Sequence, residues 1–228
     1  MEQNEQRILQ SWQRNAVSWS RAVRAGAIDS RRQVTDQAIV QAISDYQPQS
    51  VIDIGCGEGW LARELHLRGM EVTGIDATPA LVDAANKSGK GSFYCVEYTQ
   101  LSSIAQYANG PFDMAVCNFS LLGDSSTQAV IAQLRDLVKP KGYALIQTLH
   151  PRECAGKQLY KDGWRETSWE GFDGSFTDPA PWFFRTIHSW RALFQRNDFS
   201  LQEVREPVFP NSGRAASVIF IITQQPYG

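Results

Sequence analysis

Between Ser50 and Leu149 short apolar runs alternate with segments of helical period, and this alternation limits the fold more than any other feature. VIDIG (51–55), EVTGID (71–76), SFYCVEY (92–98), FDMAVCNFS (112–120) and GYALIQTLH (142–150) read as strands. Helical patterns separate them: LARELHLRG, TPALVDAANKSG, a short TQLSSIAQYANG ending at Asn109-Gly110, and STQAVIAQLRDLVKP, which Pro140 stops. Thr78 is the expected N-cap of the second, with Pro79 in its first turn. Strands joined by helices of this length imply right-handed βαβ crossovers and a mostly parallel sheet. The fold class is α/β.

The pattern changes after His150. Residues 151–186 have no clear period, yet they carry Tyr160, Trp164, Trp169, Phe172, Phe176, Trp182, Phe183 and Phe184. A long structureless segment in a compact domain is commonly a lid or binding segment. SWRALFQRNDF then reads as a helix, FSLQEVREP as a strand and SVIFIITQQ as a last strand. With no helix between that final pair, a return over Pro207–Gly213 makes it an antiparallel hairpin. Residues 1–47 are helical in composition, with Trp12, Trp19 and a series of arginines (Arg7, Arg14, Arg21, Arg24, Arg31, Arg32). The organisation expected is a helical cap (1–47), a core (48–150), an aromatic insertion (151–186) and a helix with two strands completing the core (187–228).

With 228 residues, 43% of them hydrophobic, the chain suits one globular domain. A formal net charge of −2 gives no reason to expect nucleic acid or an anionic membrane surface as partner. No run is long enough to span a bilayer. Cys56, Cys95, Cys117 and Cys154 form no CxxC pair, so they read as reduced thiols used as small core hydrophobes, with no metal site, in a cytoplasmic protein.

The turn IDIGCGEGW places Gly55, Gly57 and Gly59 at alternate positions after a strand. A dinucleotide fingerprint needs its third glycine where Trp60 stands, and a P-loop needs Gly-Lys-Ser or Gly-Lys-Thr, which is absent. Glycines let backbone approach a ligand closely. Asp53, inside the strand, is a poor neighbour for phosphate and a good acceptor for a cationic amine. Asp76 ends the next strand, where an acid in nucleotide-binding α/β folds accepts from ribose hydroxyls. A ribosylated, amino-bearing cofactor without phosphate meets these demands, and S-adenosyl-L-methionine is the obvious candidate.

IDIGCGEG, GIDAT, FDMAVCNFS and LVKPKGYALIQT together resemble the ordered motifs of class I S-adenosylmethionine-dependent methyltransferases, and most closely the small-molecule, ubiquinone-biosynthesis type of O-methyltransferase. The resemblance covers about residues 50–150, and the tail in topology. It implies a Rossmann-like three-layer α/β sandwich around a seven-stranded sheet of order 3-2-1-4-5-7-6, with the last strand antiparallel. It also implies that Gly55, Cys56 and Gly57 line the methionine part of the cofactor, with Asp53 beneath it. Asp76 would bind the ribose and Ala77 would lie beside the adenine. Glu97 would meet the adenine amino group, with Tyr98's backbone amide near the ring. Asn118 and Phe119 would face the methionine end, and S-adenosyl-L-homocysteine would be the product.

In-line transfer to an acceptor draws its rate mostly from positioning, and a base is needed only where the nucleophile arrives protonated. His150, at the carboxyl edge of the fifth strand, is the candidate base. Trp19, Trp164, Trp169 and Trp182 are the candidate lid and acceptor-binding residues, which suits a flat or apolar small molecule and O-methylation. Three other readings compete: a non-catalytic cofactor-binding module with a protein partner, an RNA methyltransferase, and a nicotinamide-dependent oxidoreductase. Acceptor choice resides in 1–47 and 151–186, outside the resemblance, and nothing in the sequence fixes an oligomeric state.

Overall fold

Asp53 and its glycine turn owe their position to the strand they terminate. The computed structural model describes residues 2–106, 110–155, 159–172 and 175–225. Its strands are β1 (Ser50–Ile54), β2 (Glu71–Asp76), β3 (Ser92–Cys95), β4 (Phe112–Asn118), β5 (Val138–Thr148), β6 (Gly163–Arg165), β7 (Trp182–Phe184), β8 (Phe199–Arg205) and β9 (Val218–Gln224). Seven of them form one sheet, β3-β2-β1-β4-β5-β9-β8, and β6 pairs with β7 separately. Strands β1 to β5 run parallel, while β9 is antiparallel to both β5 and β8. Counted within the main sheet, this is the expected order 3-2-1-4-5-7-6. The expected final hairpin is also present.

The helices are α1 (Glu2–Arg24), α2 (Asp36–Ser44), α3 (Trp60–His66), α4 (Pro79–Ser88), α5 (Ser125–Leu137), α6 (Pro151–Ala155) and α7 (Ile187–Arg196). A π-helical turn, Arg31–Thr35, leads into α2, and a 3-10 segment, Tyr98–Gln106, follows β3. Period-2 alternation in the strands sends side chains to opposite faces. Val51, Val116, Leu145 and Ile219 pack under α2, α3 and α4. Ile52, Cys117, Ile146 and Phe220 pack under α5 and α7. Each such fully buried side chain contributes about 1.5–3 kcal/mol from burial. No helix among the described residues is long and apolar enough to cross a membrane.

Several expectations are corrected. Helix α5 stops at Leu137, and Pro140 lies inside β5 rather than ending the helix. Val138 pairs with Phe112, the register then shifts before Met114 meets Tyr143, and Pro140 falls in that irregular, exposed stretch, where its missing N–H breaks no ladder bond. Thr78 occupies the N-cap position, but its side chain makes no capping bond. The expected helix end at Asn109 lies outside the described residues. Residues 151–186 contain α6 and the β6–β7 pair, whose three-residue strands are too short to show a period. Cys95 is exposed at the end of the edge strand β3 instead of being a core thiol. The N-terminal 47 residues divide: α1 lies over the site, whereas α2 is built into the core, with Ile39 and Ile43 fully buried.

Candidate active site

The carboxyl ends of β1, β2 and β4 open on a cavity of about 930 Å³, covered by α1 and the insertion. Each glycine of the turn has a positive φ: +80° at Gly55, +57° at Gly57 and +80° at Gly59. A Cβ on Gly55 would lie 2.3 Å from Ser120 Cβ and 2.6 Å from Tyr98 Oη, so this glycine serves packing. At Gly57 the nearest obstacle is Trp19 Nε1 at 3.9 Å, so its bare backbone faces the cavity. The N–H groups of Gly55 and Cys56 donate to the Ile75 carbonyl (2.8 and 2.9 Å), which ties the turn to β2. Tyr98 Oη donates to the Ser120 carbonyl (3.1 Å) and Ser120 Oγ to the Ile54 carbonyl (2.6 Å), bracing the turn from below. Burial pushes the Tyr98 phenol well above its ordinary pKa.

Asp76 accepts from the backbone N–H of Gly57 (3.0 Å) and of Thr78 (2.8 Å) and lines the cavity. Burial raises its pKa, against which those two bonds work. Asp53 lies beneath the turn, 1% exposed, and its Oδ1 has no hydrogen-bond partner. Burial pushes its carboxyl up to about 7, with Asp76 adding to the shift and Arg31 opposing it. Asn118 Oδ1, at the end of β4, is likewise buried and unpaired. Phe119 follows with φ +54°, its N–H held by the Gln147 carbonyl at 2.8 Å. Non-glycine residues forced into this region cost about 1–3 kcal/mol and cluster at functional sites.

Arg31 also faces this end. Its guanidinium lies 4.6 Å from the Trp60 ring centroid and 5.9 Å from that of Trp19, its Nε donates to Asp36 Oδ1 (2.9 Å), and Nη2 is buried without a partner. Sequence reasoning missed it, since nothing separates Arg31 from the five other arginines near it in the chain. Glu58, the acid of the glycine turn, plays a structural part: it is buried between Arg24 (2.8 Å) and Arg63 (2.5 Å).

The cover is made jointly. Trp12 packs edge-on against Trp19 (5.0 Å) and Trp169 (6.3 Å), and Trp19 lies tilted against Phe172 (6.4 Å). Asn15 both donates to the Thr177 carbonyl (2.7 Å) and accepts from its N–H (2.9 Å). Glu5 reaches across to the N-terminus of α5, where Oε1 accepts from the N–H groups of Asp124 (2.8 Å) and Ser125 (2.9 Å) and Oε2 from Ser126 Oγ (2.7 Å).

Of the residues singled out in the sequence, Gly55, Cys56, Gly57, Asp76, Ala77, Glu97, Tyr98, Asn118 and Phe119 line the cavity, as do Trp19, Trp169 and Trp182. Three others do not line it: Asp53 is buried beneath the turn, and Trp164 and His150 lie elsewhere. Trp164 stacks edge-on against Phe183 (5.5 Å) outside the lining, because the β6–β7 register turns it that way. His150 is turned from the cavity, with its Nε2 2.9 Å from Glu206 Oε1. Among the described residues no cluster is fit to hold a metal.

A family model for a methyltransferase domain matches residues 28–204. The chain belongs to that family. A ubiquinone biosynthesis O-methyltransferase of Xanthomonas oryzae pv. oryzae is 33% identical over 118 residues, 51% of this chain and 49% of that one. This methyltransferase-domain chain thus spans about half the length of the curated relatives it matches. Among solved structures, the Burkholderia thailandensis 1,6-didemethyltoxoflavin-N1-methyltransferase, determined with 1,6-didemethyltoxoflavin and S-adenosylhomocysteine, superposes with a TM-score of 0.69 at 16% identity, covering 98% of this chain and 90% of that one. A Methanosarcina mazei S-adenosylmethionine-dependent methyltransferase gives 0.64 at 19% identity, covering 81% and 97%. The fold is the one these methyltransferases share. The residues present also fit S-adenosylmethionine as cofactor: an open glycine backbone, an acid ending β2, unpaired Asn118 and Arg31 atoms among the lining residues, and an unpaired Asp53 oxygen buried beneath the turn.

Proposed function

We infer that this chain transfers a methyl group from S-adenosylmethionine to a small, flat or apolar acceptor, with oxygen as the favoured receiving atom. The observation that carries the reading is one cavity with two unlike ends. One end has the glycine turn, Asp76 and the unpaired buried atoms of Asn118 and Arg31, with an unpaired Asp53 oxygen buried beneath the turn. The other is walled largely by Leu9, Leu122, Leu149, Trp169, Pro181 and Trp182. Oxygen is favoured by the name of the Xanthomonas relative, whereas the Burkholderia enzyme's name specifies a nitrogen.

When bound, S-adenosylmethionine supplies an electrophilic sulfonium methyl. Asp76 has acceptor capacity left for ribose hydroxyls beyond the two backbone bonds it holds. Asp53, once ionised, offers charge to the amino group, and Arg31 Nη2 offers a charge-assisted bond to the carboxylate. Glu97 and Ala77 flank the place for the adenine. Phe119, fixed at positive φ, and Asn118 orient the acceptor at the methionine end. The Trp12–Trp19–Trp169 cluster excludes water, so the rate comes from holding donor and acceptor about 3–3.5 Å apart in line. His150 is assigned the task of holding the loop that carries Glu206, since it makes no contact with the cavity.

The test is a thermal-shift titration with S-adenosylhomocysteine, S-adenosylmethionine and NAD on wild type and Asp76→Ala. A hundredfold excess over Kd stabilises by about 2.7 kcal/mol, which raises Tm by roughly 5–11 °C for a chain of this size. The expected result is a shift with both adenosyl compounds, none with NAD, and its loss in the variant. Release of S-adenosylhomocysteine would then be screened with phenols, catechols and ring nitrogens. Binding without turnover across that panel would favour the non-catalytic module, and no shift would overturn the cofactor assignment.

A further inference from the structure

The face of the sheet that packs on α2 and α3 is apolar until its carboxyl edge, where it becomes polar. Asp53 on β1, Asn118 on β4 and Gln147 on β5 follow Val51, Val116 and Leu145 by two residues, so they share that face, and Ser217 precedes Ile219 in the same way. Asn118 and Gln147 are direct register partners, as are Gln147 and Ile219. The row therefore crosses the sheet from the cofactor end of the cavity toward β9.

Gln147 does not line the cavity. It is 1% exposed, and its Nε2 donates both to Ser217 Oγ (2.9 Å) and to the carbonyl of Thr35 (3.2 Å). Its Oε1 and Thr35 Oγ1 are buried and unpaired with protein. An apolar residue here would avoid the roughly 1–3 kcal/mol that an unsatisfied buried polar group costs. What the glutamine provides in return is an attachment point for the π-helical turn.

That turn carries Arg31. Its closing bond runs from the Asp36 N–H to the Arg31 carbonyl, and the Asp36 carboxylate then receives Arg31 Nε (2.9 Å). Thr35, at the other end of the turn, is the residue Gln147 holds. π-turns are rare and recur at functional sites. Fixing Thr35 to the sheet therefore sets where the Arg31 guanidinium lies above Trp60.

We propose that Gln147, buttressed by Ser217, is a positioning residue that acts through the π-turn to hold Arg31 against the carboxylate of the cofactor's amino-acid end. This rests on the cofactor reading above. The experiment measures Kd for S-adenosylhomocysteine and for 5′-methylthioadenosine, which lacks the amino-acid tail, on wild type, Arg31→Met, Gln147→Leu and the double variant. Arg31→Met loses about thirtyfold or more for S-adenosylhomocysteine and less than twofold for 5′-methylthioadenosine, in line with a charge-assisted bond. Gln147→Leu loses about tenfold for S-adenosylhomocysteine alone, and the double variant is no weaker than Arg31→Met. Ser217→Ala, a gentler change that serves if Gln147→Leu does not fold, loses about threefold with the same selectivity.

Equal loss for both ligands in Gln147→Leu, or additivity in the double variant, overturns the positioning role. An Arg31→Met variant that keeps the preference for the tailed ligand overturns the contact between Arg31 and the tail and the proposal with it, whereas a wild type that binds neither ligand overturns the cofactor reading itself. Loss of that preference in Arg31→Met, but not in Gln147→Leu or Ser217→Ala, overturns only the proposal about Gln147.

Discussion

Replacing Asp53 by asparagine should make the free protein more stable and the cofactor complex weaker, with both effects depending on pH. In the wild type burial pushes the Asp53 carboxyl from 3.8 up to about 7, with Asp76 adding and Arg31 opposing. If the amino group of the cofactor requires an ionised Asp53, affinity follows the ionised fraction. That fraction is about one in ten at pH 6 and nine in ten at pH 8, so Kd for S-adenosylhomocysteine falls roughly tenfold over this interval and then levels off. Stability runs the other way. The folded pKa lies above the unfolded one, so the group favours folding most below pH 3.8, and its contribution declines as pH rises to about 7. Above that the ionised carboxylate costs the folded state up to about 4 kcal/mol, from roughly three pH units at 1.36 kcal/mol each. Asp53→Asn should therefore resist urea better than wild type at pH 8 by about 1–4 kcal/mol, match it more closely at pH 4, and bind S-adenosylhomocysteine with no slope between pH 6 and 8. Calorimetric titration at pH 6, 7 and 8 and urea melts at pH 4 and 8 check this. A wild-type Kd equal at pH 6 and pH 8, or an Asp53→Asn variant that binds as tightly as wild type at pH 8, would refute the reasoning.

Three further variants separate the parts of the site. Gly55→Ala should cost about 2–5 kcal/mol in urea unfolding, because its Cβ would meet Ser120 and Tyr98 at a φ of +80°. Gly57→Ala, whose Cβ would meet only Trp19 Nε1 at an ordinary contact distance but at φ +57°, should cost about 1–2 kcal/mol of stability while losing most cofactor affinity by calorimetry. Glu5→Ala removes the carboxylate at the start of α5 and should lower stability by about 1–2 kcal/mol. It should also free α1, so that limited proteolysis cuts within residues 2–24 faster, and bound S-adenosylhomocysteine slows that cut again.

Much of the cofactor end was legible because its requirements are local. Glycines at three alternate positions after an apolar run announce a backbone of positive φ, and an acid at the end of the next strand follows from the βα repeat. The acids themselves then appear where the strands end. The acceptor end was less legible. Strands of three residues, such as Gly163–Arg165, leave no period to read, so nothing told Trp164, which packs on Phe183, from Trp169, which faces the cavity. His150 stands where a base belongs by strand position, yet its partner Glu206 is 56 residues away in a loop with no signal of its own.

The sequence by itself determined the parallel sheet, the order in which its motifs occur, and the turn that a cofactor without phosphate requires. Periodicity and glycine's conformational freedom act over a few residues, so they survive in a linear text. Tertiary structure alone decided that Arg31 rather than any other arginine faces the site. It also decided that Glu5 reaches Asp124 across 119 residues and that Asn15 ties the first helix to Thr177 across 162. Such contacts depend on where packing brings distant segments together, and a hydrogen bond needs its partner within about 3 Å, which no local pattern specifies.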